Sequence, residues 1–337
     1  MRRWVLAAGA TDIDGLTMED VAMPVPGPGE VRLRLRAVSL NYRDQFVLTD
    51  PAVWRTPGRD LVPVSDGAGE VDAVGAGVDA WVVGDRVTPL YFRDWVSGLP
   101  LSDPGRGLGS LDEDGLLAEY VVLPASRLTR APESLDDAEA ATLPCAGLTA
   151  WSALQGDRPT GPGTTVLVLG TGGVSLMALT LARAAGALVF ATTSQNAKRE
   201  PLAALGVSAV VNYQTTPAWG QEVFDRLGGV DRVVNTVGAS EMTQSLTALR
   251  QGGEVSLLGL FSIAGETMDS MQVIFKGAIV RAIAVGNADA HADLVRFIDA
   301  HHVKPPIGRR FRFEDAPDAW RAQASADVLG KVVIDIA

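Results

Sequence analysis

The sequence predicts an α/β protein with two domains, a β-rich domain followed by a doubly wound parallel sheet. Short β-branched strands, broken by Gly and Pro, occupy residues 31–39 and 67–87. From residue 166 onwards, strand-like apolar runs alternate with helical stretches, which is typical of a parallel sheet. An apolar run at residues 166–169 leads directly into a glycine-rich segment at residues 170–174, which indicates a strand-to-helix turn.

The β-rich part is punctuated by turn segments at residues 26–30 and 84–87. A helix at residues 291–301 and a last strand at residues 330–336 close the sequence, and we expect this strand to return to the first domain. Residues 1–125 are predicted to form the first domain, residues 126–286 the second, and residues 287–337 the return segment.

The second domain begins with a strand at residues 166–169, a helix of small and apolar residues at 176–185, and a strand at 187–192. Gly186 ends the helix. Further strands are predicted at residues 209–211, 232–235, 255–258 and 279–285. The sheet is therefore expected to be parallel and to contain about six strands.

The glycine-rich turn predicts a dinucleotide site. Closely spaced glycines let the backbone approach a pyrophosphate, and the following helix points unpaired N–H groups at that charge. The predicted contacts are Gly170, Thr171, Gly172, Gly173 and Val174. Ser175 stands where a third glycine is usual, and the alternative is a tight turn that binds no ligand.

The second strand of this unit ends in hydroxyl side chains, where a binding unit for NAD usually carries an acid about 20 residues after the turn. Thr193, Ser194 and Lys198 are predicted to bind the 2′-phosphate of NADPH, with Arg199 nearby. Two such contacts would favour NADPH over NADH by about a hundredfold. The alternative is that Lys198 and Arg199 form a solvated helix face.

Composition excludes several classes of function. With 337 residues and 47% hydrophobic content, the chain can bury a large core in two domains. A net charge of −11 and the lack of a basic cluster argue against nucleic acid, and no apolar run reaches the ~20 residues of a membrane span. One cysteine excludes an internal disulfide, so we expect a soluble, cytoplasmic protein.

Six segments are spread over nearly the full chain: Asn41-Tyr42-Arg43-Asp44, residues 65–71, Gly84-Asp85-Arg86-Val87, residues 143–151, residues 170–174 and Gly330-Lys331-Val332-Val333. In their sequence and order they resemble the medium-chain dehydrogenase/reductases. The resemblance implies a GroES-like catalytic domain interrupted by a Rossmann domain that binds a nicotinamide cofactor, and an assembly of two or four chains. The sequence is most similar to the zinc-independent quinone oxidoreductase and enoyl reductase groups.

The resemblance also bears on zinc. Asn41 matches the first ligand of zinc alcohol dehydrogenases, which is a cysteine there, and Val64-Ser65-Asp66 matches their Gly-His-Glu segment. Catalytic zinc needs three ligands of thiolate, imidazole or carboxylate type. Cys145 matches the third ligand, but a single soft ligand does not hold zinc, so we expect no metal.

Segment 41–44 is the candidate source of catalytic hydrogen-bond donors. Tyr42 offers a hydroxyl, Asn41 an amide, and Arg43 a permanent charge that Asp44 can orient through an ion pair. Such donors can stabilise the enolate that forms when hydride reaches a double bond conjugated to a carbonyl. The alternative is a helix start that Asn41 caps and Asp44 supports; this explains Asp44 and Arg43 but not the phenol of Tyr42.

Further cofactor contacts are implied only by position in the family. Each residue also has an explanation that involves no ligand. This is surface packing for Tyr213, a solvated strand lysine for Lys331, and an ordinary strand-end turn for the others. These residues are Thr149, Tyr213, Val237, Gly259, Leu260, Phe261, Val285, Gly286 and Lys331.

Together these observations predict an NADPH-dependent reductase of an enone, enoyl or quinone substrate, assembled as a homodimer, without a nucleic-acid or membrane partner. Two alternatives stay open. One is a zinc-free carbonyl reductase or alcohol dehydrogenase that uses Tyr42 as the acid. The other is a cofactor-binding protein that has no redox role.

Overall fold

The structure is a computed structural model that describes all residues except Leu101, Pro104, residues 260–267 and Ala337. In chain order, its strands are β1 (Arg2–Leu6), β2 (Leu16–Asp20), β3 (Glu30–Leu40), β4 (Asp66–Val74), β5 (Arg86–Pro89), β6 (Tyr120–Pro124), β7 (Leu128–Arg130), β8 (Thr165–Val168), β9 (Leu188–Thr193), β10 (Ala209–Asn212), β11 (Val230–Asn235), β12 (Leu249–Leu257), β13 (Ile279–Ala282), β14 (Ile307–Arg312) and β15 (Lys331–Asp335). The α-helices are α1 (Tyr42–Thr49), α2 (Pro51–Trp54), α3 (Asp137–Ala140), α4 (Leu148–Leu154), α5 (Gly173–Ala184), α6 (Arg199–Ala204), α7 (Trp219–Leu227), α8 (Met242–Ala248), α9 (Ser270–Lys276), α10 (Ala288–His301) and α11 (Ala316–Ala324).

The chain forms two compact units. The catalytic unit comprises Met1–Leu148 and Gly286–Ala337, and the dinucleotide unit comprises Thr149–Val285. The first boundary therefore lies later than the predicted 125/126, and β7, which follows that position, pairs with β5 inside the catalytic unit. The return of the chain at Gly286 lies one residue before the predicted position.

The catalytic unit is β-rich, as predicted. Its main sheet has the strand order β14-β15-β3-β4-β5-β7, and β6 also pairs with β3. In β3, Val31, Leu33 and Leu35 are buried and alternate with partly exposed arginines, the period of two expected for a strand with one buried face. The last strand, β15, pairs antiparallel with β3, which confirms that the end of the chain returns to this unit.

The dinucleotide unit has six parallel strands in the order β10-β9-β8-β11-β12-β13, as the sequence predicts. The order reverses direction between β8 and β11, where ligands bind in doubly wound sheets. Its core is built from apolar side chains of the central strands and of α7 and α8, such as Leu167, Val233 and Leu246. Among the described residues, no helix is long and apolar enough to cross a bilayer.

Candidate active site

Three neighbouring strands of the catalytic unit bring polar residues to one edge of its sheet. Lys331 is the first residue of β15, Asn41 follows the last residue of β3, and Asp66 is the first residue of β4. The antiparallel pairs Val332–Leu40 and Ser39–Asp66 fix this arrangement. The sheet register therefore places Lys331 next to Asn41, and Asp66 opposite Ser39, two residues before Asn41.

These side chains form a chain of hydrogen bonds, which we call the Lys331 network (Lys331, Asn41, Ser65 and Asp66). Lys331 Nζ donates to the Leu40 carbonyl at 2.6 Å and to Asn41 Oδ1 at 2.5 Å. Asn41 Nδ2 donates to Ser65 Oγ at 3.3 Å, and Ser65 Oγ donates to Asp66 Oδ1 at 2.8 Å. An ammonium only donates and a carboxylate only accepts, so the network runs in one direction from cation to anion.

The network is isolated from solvent, with Asp66 and Ser65 fully buried and Lys331 only 4% exposed. Burial raises the pKa of the Asp66 carboxyl, while the Lys331 ammonium and hydrogen bonds from Asn41 and Ser65 oppose this rise. Burial lowers the pKa of Lys331, and the charge of Asp66 opposes that change. Each charge thus stabilises the other in a setting that would otherwise neutralise both. The interpretation of Lys331 as a solvated strand lysine is wrong.

A strained residue precedes this site. Val64 has φ 79° although it is β-branched and fully buried, a conformation that L residues rarely adopt. The Val64 carbonyl accepts a hydrogen bond from the Leu116 amide at 2.9 Å, which holds this conformation. The turn at Val64 leads directly into Ser65 and Asp66. The strained backbone of Val64 therefore lies next to the polar network, and such strain is common at functional sites.

Cys145 contributes its backbone to the same cluster. Its amide donates to Asp66 Oδ2 at 3.1 Å, from the π-helical turn Leu143–Gly147. Burial raises the pKa of the Cys145 thiol, which disfavours the thiolate. Among the described residues, no cluster of three His, Cys, Asp or Glu side chains can hold a metal ion.

Segment 41–44 starts helix α1. The Asp44 carboxylate accepts a hydrogen bond from the Asn41 backbone N–H at 2.7 Å, and the Asp44 amide donates to the Asn41 carbonyl at 3.0 Å. Burial raises the pKa of Asp44 to about 6, although the charge of Arg43 opposes this rise. The Arg43 guanidinium lies 3.6 Å from Asp44 and donates to the Leu108 carbonyl at 2.7 Å. Arg43 and Asp44 therefore stabilise the helix start and the neighbouring loop.

Tyr42 is the side chain of this segment that solvent reaches. It is 40% exposed, whereas Asn41, Arg43 and Asp44 are each at most 7% exposed. Its ring contacts the edge of Phe46 one helical turn later, with the ring centroids 5.2 Å apart. Of the four predicted catalytic residues, Tyr42 is the one that is substantially exposed.

In the dinucleotide unit, the predicted turn joins β8 to α5. Gly170 has φ 76°, which favours glycine, and Gly172 is the residue before the first turn of α5. A Cβ placed on Gly172 would meet no atom within 4 Å. Open space thus lies at the N-terminus of a 12-residue helix, where unpaired N–H groups favour an anion.

The predicted phosphate contacts differ in their burial and in whether they reach this turn. Lys198 is buried, and its Nζ donates to Thr171 Oγ1 at 3.0 Å, so it is not part of a solvated helix face. Thr193 is also buried, and its hydroxyl accepts from the Gln195 amide at 3.2 Å. Ser194 is half-buried, and Arg199 is exposed. The structure therefore brings Lys198, but not Arg199, to the glycine-rich turn.

Three hydroxyl residues that sequence reasoning did not assign as contacts hold the turn in place. Thr192 Oγ1 accepts from the Gly170 amide at 3.0 Å. Ser175 Oγ and Thr236 Oγ1 both donate to the Leu169 carbonyl, at 2.6 and 2.8 Å. Ser175 can thus replace the usual third glycine, because its hydroxyl binds the Leu169 carbonyl at the end of the strand.

The turn after β11 is organised by Asn235, whose Oδ1 accepts from the Val237 and Gly238 amides at 3.0 and 2.8 Å. Gly259 packs against this turn, because a Cβ there would lie 2.1 Å from the Val237 carbonyl carbon. Tyr213 is 38% exposed and lines a cleft of about 500 Å³ together with Trp219 and Glu241.

The other predicted contacts are less defined. Thr149 is buried in the first turn of α4, and Val285 has φ 54° at the last residue of the dinucleotide unit. Gly286 begins the second part of the catalytic unit. Leu260 and Phe261 lie outside the described residues.

Comparison with known proteins identifies the family. Residues 27–133 match the alcohol dehydrogenase GroES-like domain, and residues 173–300 match the zinc-binding dehydrogenase family. A zinc-type alcohol dehydrogenase-like protein of Schizosaccharomyces pombe is 36% identical over 345 residues, which cover 99% of both chains.

Solved structures agree. A crystal structure assigned as an alcohol dehydrogenase from Sinorhizobium meliloti 1021 is 35% identical, with a TM-score of 0.91 and 99% of both chains covered. A crystal structure of an NAD-dependent alcohol dehydrogenase is 32% identical, with a TM-score of 0.87 and both chains fully covered. The protein therefore belongs to the medium-chain dehydrogenase/reductase superfamily, with a GroES-like and a Rossmann domain, and is an alcohol dehydrogenase-like oxidoreductase.

Proposed function

We propose that this oxidoreductase is an NADPH-dependent, zinc-independent reductase that transfers hydride to a carbonyl-conjugated double bond or to a quinone. The observation that carries the proposal is the Lys331 network. The amide of Asn41 and the hydroxyl of Ser65 stand at the positions where zinc-dependent relatives need thiolate and imidazole ligands, and the buried ammonium of Lys331 binds Asn41. Relatives of this family bind NAD or NADP, and the substrate we expect is a small molecule.

The residues of the dinucleotide unit fit a nicotinamide cofactor. The open space at Gly172 and the N-terminus of α5 suit a pyrophosphate. The buried ammonium of Lys198 beside Thr171 adds a positive charge that suits the 2′-phosphate of NADPH. When it is bound, NADPH supplies the hydride.

The residues of the catalytic unit do not fit zinc. Asn41 and Ser65 offer an amide and a hydroxyl, which are poor zinc ligands, and their oxygens already accept hydrogen bonds. Burial raises the pKa of the Cys145 thiol, and the nearby Lys331 ammonium would repel a metal cation. The proposed mechanism therefore uses no zinc.

Without a metal, reduction of a conjugated double bond is the reaction that these residues suit best. The negative charge spreads into an enolate, which one or two hydrogen-bond donors can stabilise. Tyr42 is the one residue of segment 41–44 that is substantially exposed, and we assign its hydroxyl as the donor to the enolate oxygen. Water or a weak acid then protonates the α-carbon. The amide of Asn41 is turned inward to Ser65, so we assign Asn41 a supporting role.

The test is a turnover assay with NADPH or NADH and a panel of enones, enoyl thioesters and quinones, with product identification. We expect NADPH-selective saturation of the double bond. The variant Tyr42→Phe should lower kcat by about 100- to 1,000-fold, because one oxyanion donor contributes about 3 to 4 kcal/mol. Tyr120→Phe, in β6, is the matched control and should leave kcat unchanged. Allylic alcohol as the product, or full activity of Tyr42→Phe, would refute the assignment.

A second candidate is a carbonyl reductase, because two similar proteins are described as alcohol dehydrogenases or alcohol dehydrogenase-like. With the residues of this chain, that reaction would use no zinc, and Tyr42 would protonate the developing alkoxide. The same assay separates the two, because a carbonyl reductase converts the panel's ketones to alcohols and leaves the carbon–carbon double bond intact.

We also propose a homodimer that pairs β13 with its copy. β13 is an edge strand of the six-stranded sheet, and Ile279 on it is 40% exposed. The adjacent helix α9 exposes Ile274 and Phe275 at 66% and 73%. Light scattering should show a dimer for the wild type and a monomer for Phe275→Asp.

A further inference from the structure

Lys331 is placed where it can act on the start of α1. Its Nζ binds the Leu40 carbonyl at 2.6 Å and the Asn41 side chain at 2.5 Å. These two residues directly precede Tyr42, the first residue of α1. One ammonium thus binds both the backbone of Leu40 and the side chain of Asn41, the two residues before Tyr42.

We propose that Lys331 is a positioning residue for Tyr42 that acts through Leu40 and Asn41 and does not contact the cofactor. This inference rests on the proposed function, because it assigns Tyr42 a donor role in the reaction.

The opposite end of the network anchors Lys331. Asp66 is fully buried and supplies the negative charge that faces the ammonium, while Ser65 and the Cys145 amide occupy its two oxygens. A buried ammonium without such a charge would tend to lose its proton. The carboxylate therefore keeps Lys331 charged, and the charged Lys331 holds Asn41 in one orientation.

The orientation of Asn41 follows from its neighbours. A rotated carboxamide would place its NH2 group against the lysine, donor against donor, and would remove the bond to Ser65. Because Asn41 also donates its backbone N–H to Asp44, the side chain and the backbone at this residue are both fixed. These hydrogen bonds therefore restrict rotation of both the backbone and the side chain at Asn41, the residue that precedes Tyr42.

The experiment compares Lys331→Met, Tyr42→Phe and the double variant. We expect Lys331→Met to lower kcat at least tenfold with the NADPH Kd within twofold of wild type. In the double variant, kcat should fall no further than in Tyr42→Phe alone, because both changes remove one function. Lys304→Met is the control, since Lys304 is an exposed lysine of the same unit that bonds to Glu139.

Three results would overturn the inference. The first is an NADPH Kd raised tenfold with kcat preserved at saturation, which is the behaviour of a cofactor ligand. The second is that the losses of the two single variants multiply in the double variant. The third is a folded Lys331→Met enzyme that is fully active. If Lys331→Met does not fold, Asn41→Ala removes the acceptor instead and should show the same loss of kcat with an unchanged NADPH Kd.

A readout without turnover separates this inference from the proposed function. The chain has only five asparagines, so selective ¹⁵N labelling resolves the side-chain NH2 signals. Lys331→Met should shift the Asn41 signal, and Lys304→Met should not. If the wild type reduces no substrate, the proposed function fails, while a shifted Asn41 signal still supports the positioning contact. An unchanged Asn41 signal overturns it in either case.

Discussion

The ammonium of Lys198 donates to the hydroxyl of Thr171 at 3.0 Å, which joins the start of α6 to the glycine-rich turn after β8. The two residues are far apart in the sequence and meet because β8 and β9 are parallel neighbours. A buried positive charge at a turn built for phosphate groups is the basis for the NADPH preference that we propose.

Lys198→Met should weaken NADPH binding and leave NADH binding unchanged. One charge-assisted contact contributes about 1.5–3 kcal/mol, so we expect the NADPH Kd to rise by about tenfold to a hundredfold. Fluorescence titration of both cofactors measures this. Arg199→Met is the control, because Arg199 is exposed and bonds to Asn196. Equal losses for NADPH and NADH would show that Lys198 does not distinguish the two.

Gly172→Ala should block cofactor binding and leave the fold intact. Gly172 has φ −77° and ψ 177°, which alanine adopts freely, and its Cβ would meet no protein atom within 4 Å. The methyl group would instead occupy the space proposed for the pyrophosphate, so we expect the Kd for NADPH and NADH to rise at least tenfold.

Gly161→Ala is the matched control for this change. Its Cβ would lie 3.8 Å from the Ala185 carbonyl, an ordinary contact, and it is not part of the turn. Both variants should unfold at the wild-type temperature, and only Gly172→Ala should lose binding. Normal cofactor affinity of Gly172→Ala would place the pyrophosphate elsewhere.

The fold was largely predictable because hydrophobic periodicity is local. The parallel six-stranded sheet, the glycine turn and the return of the last strand all follow from such signals. The prediction for β12 was less accurate, since the strand begins at Leu249 and not at residue 255. The Gly252-Gly253 pair resembles a turn in the sequence, whereas in the structure it lies within the strand, next to a register shift opposite β11.

The polar site was less predictable because its partners are distant in sequence. Lys331 and Asn41 are 290 residues apart, and no spacing rule joins them. One signal was available: a lysine that begins a Val-Val-Ile strand is a charged residue in an apolar setting, which calls for a buried partner. The partner itself emerges only from the register of β15, β3 and β4.

Removal of metal ions should not change the activity. Asn41 and Ser65 offer an amide and a hydroxyl at two of the positions where zinc ligands would be needed. We therefore expect purified protein to contain far less than one equivalent of zinc. Dialysis against a chelator should leave both kcat and the unfolding midpoint unchanged. A zinc-dependent alcohol dehydrogenase treated in parallel serves as the positive control. One tightly held equivalent of zinc, with activity lost on chelation and restored by zinc, would refute a metal-free mechanism.

Protonation of His291 should destabilise the protein in mild acid. His291 is fully buried in α10, and its Nδ1 lies 3.1 Å from the Thr129 hydroxyl. Burial lowers the pKa of His291 from 6.5 to about 4, so the folded state favours the neutral ring. The stabilisation by the neutral ring is complete above pH 6.5 and is lost as the pH falls from 6.5 through 4.

At pH 5 the loss of stability from this residue is about 2 kcal/mol relative to pH 7, by linkage of the two pKa values. Urea unfolding of wild type and His291→Gln between pH 4 and pH 8 measures it, because glutamine keeps a donor and an acceptor but does not titrate. The variant should lose less stability than the wild type over this range. His301→Gln, at an exposed position of the same helix, should follow the wild-type curve. Parallel curves for wild type and His291→Gln would mean that His291 does not contribute to acid sensitivity, and that carboxyl groups whose pKa is lowered in the folded state, such as Asp299, dominate it.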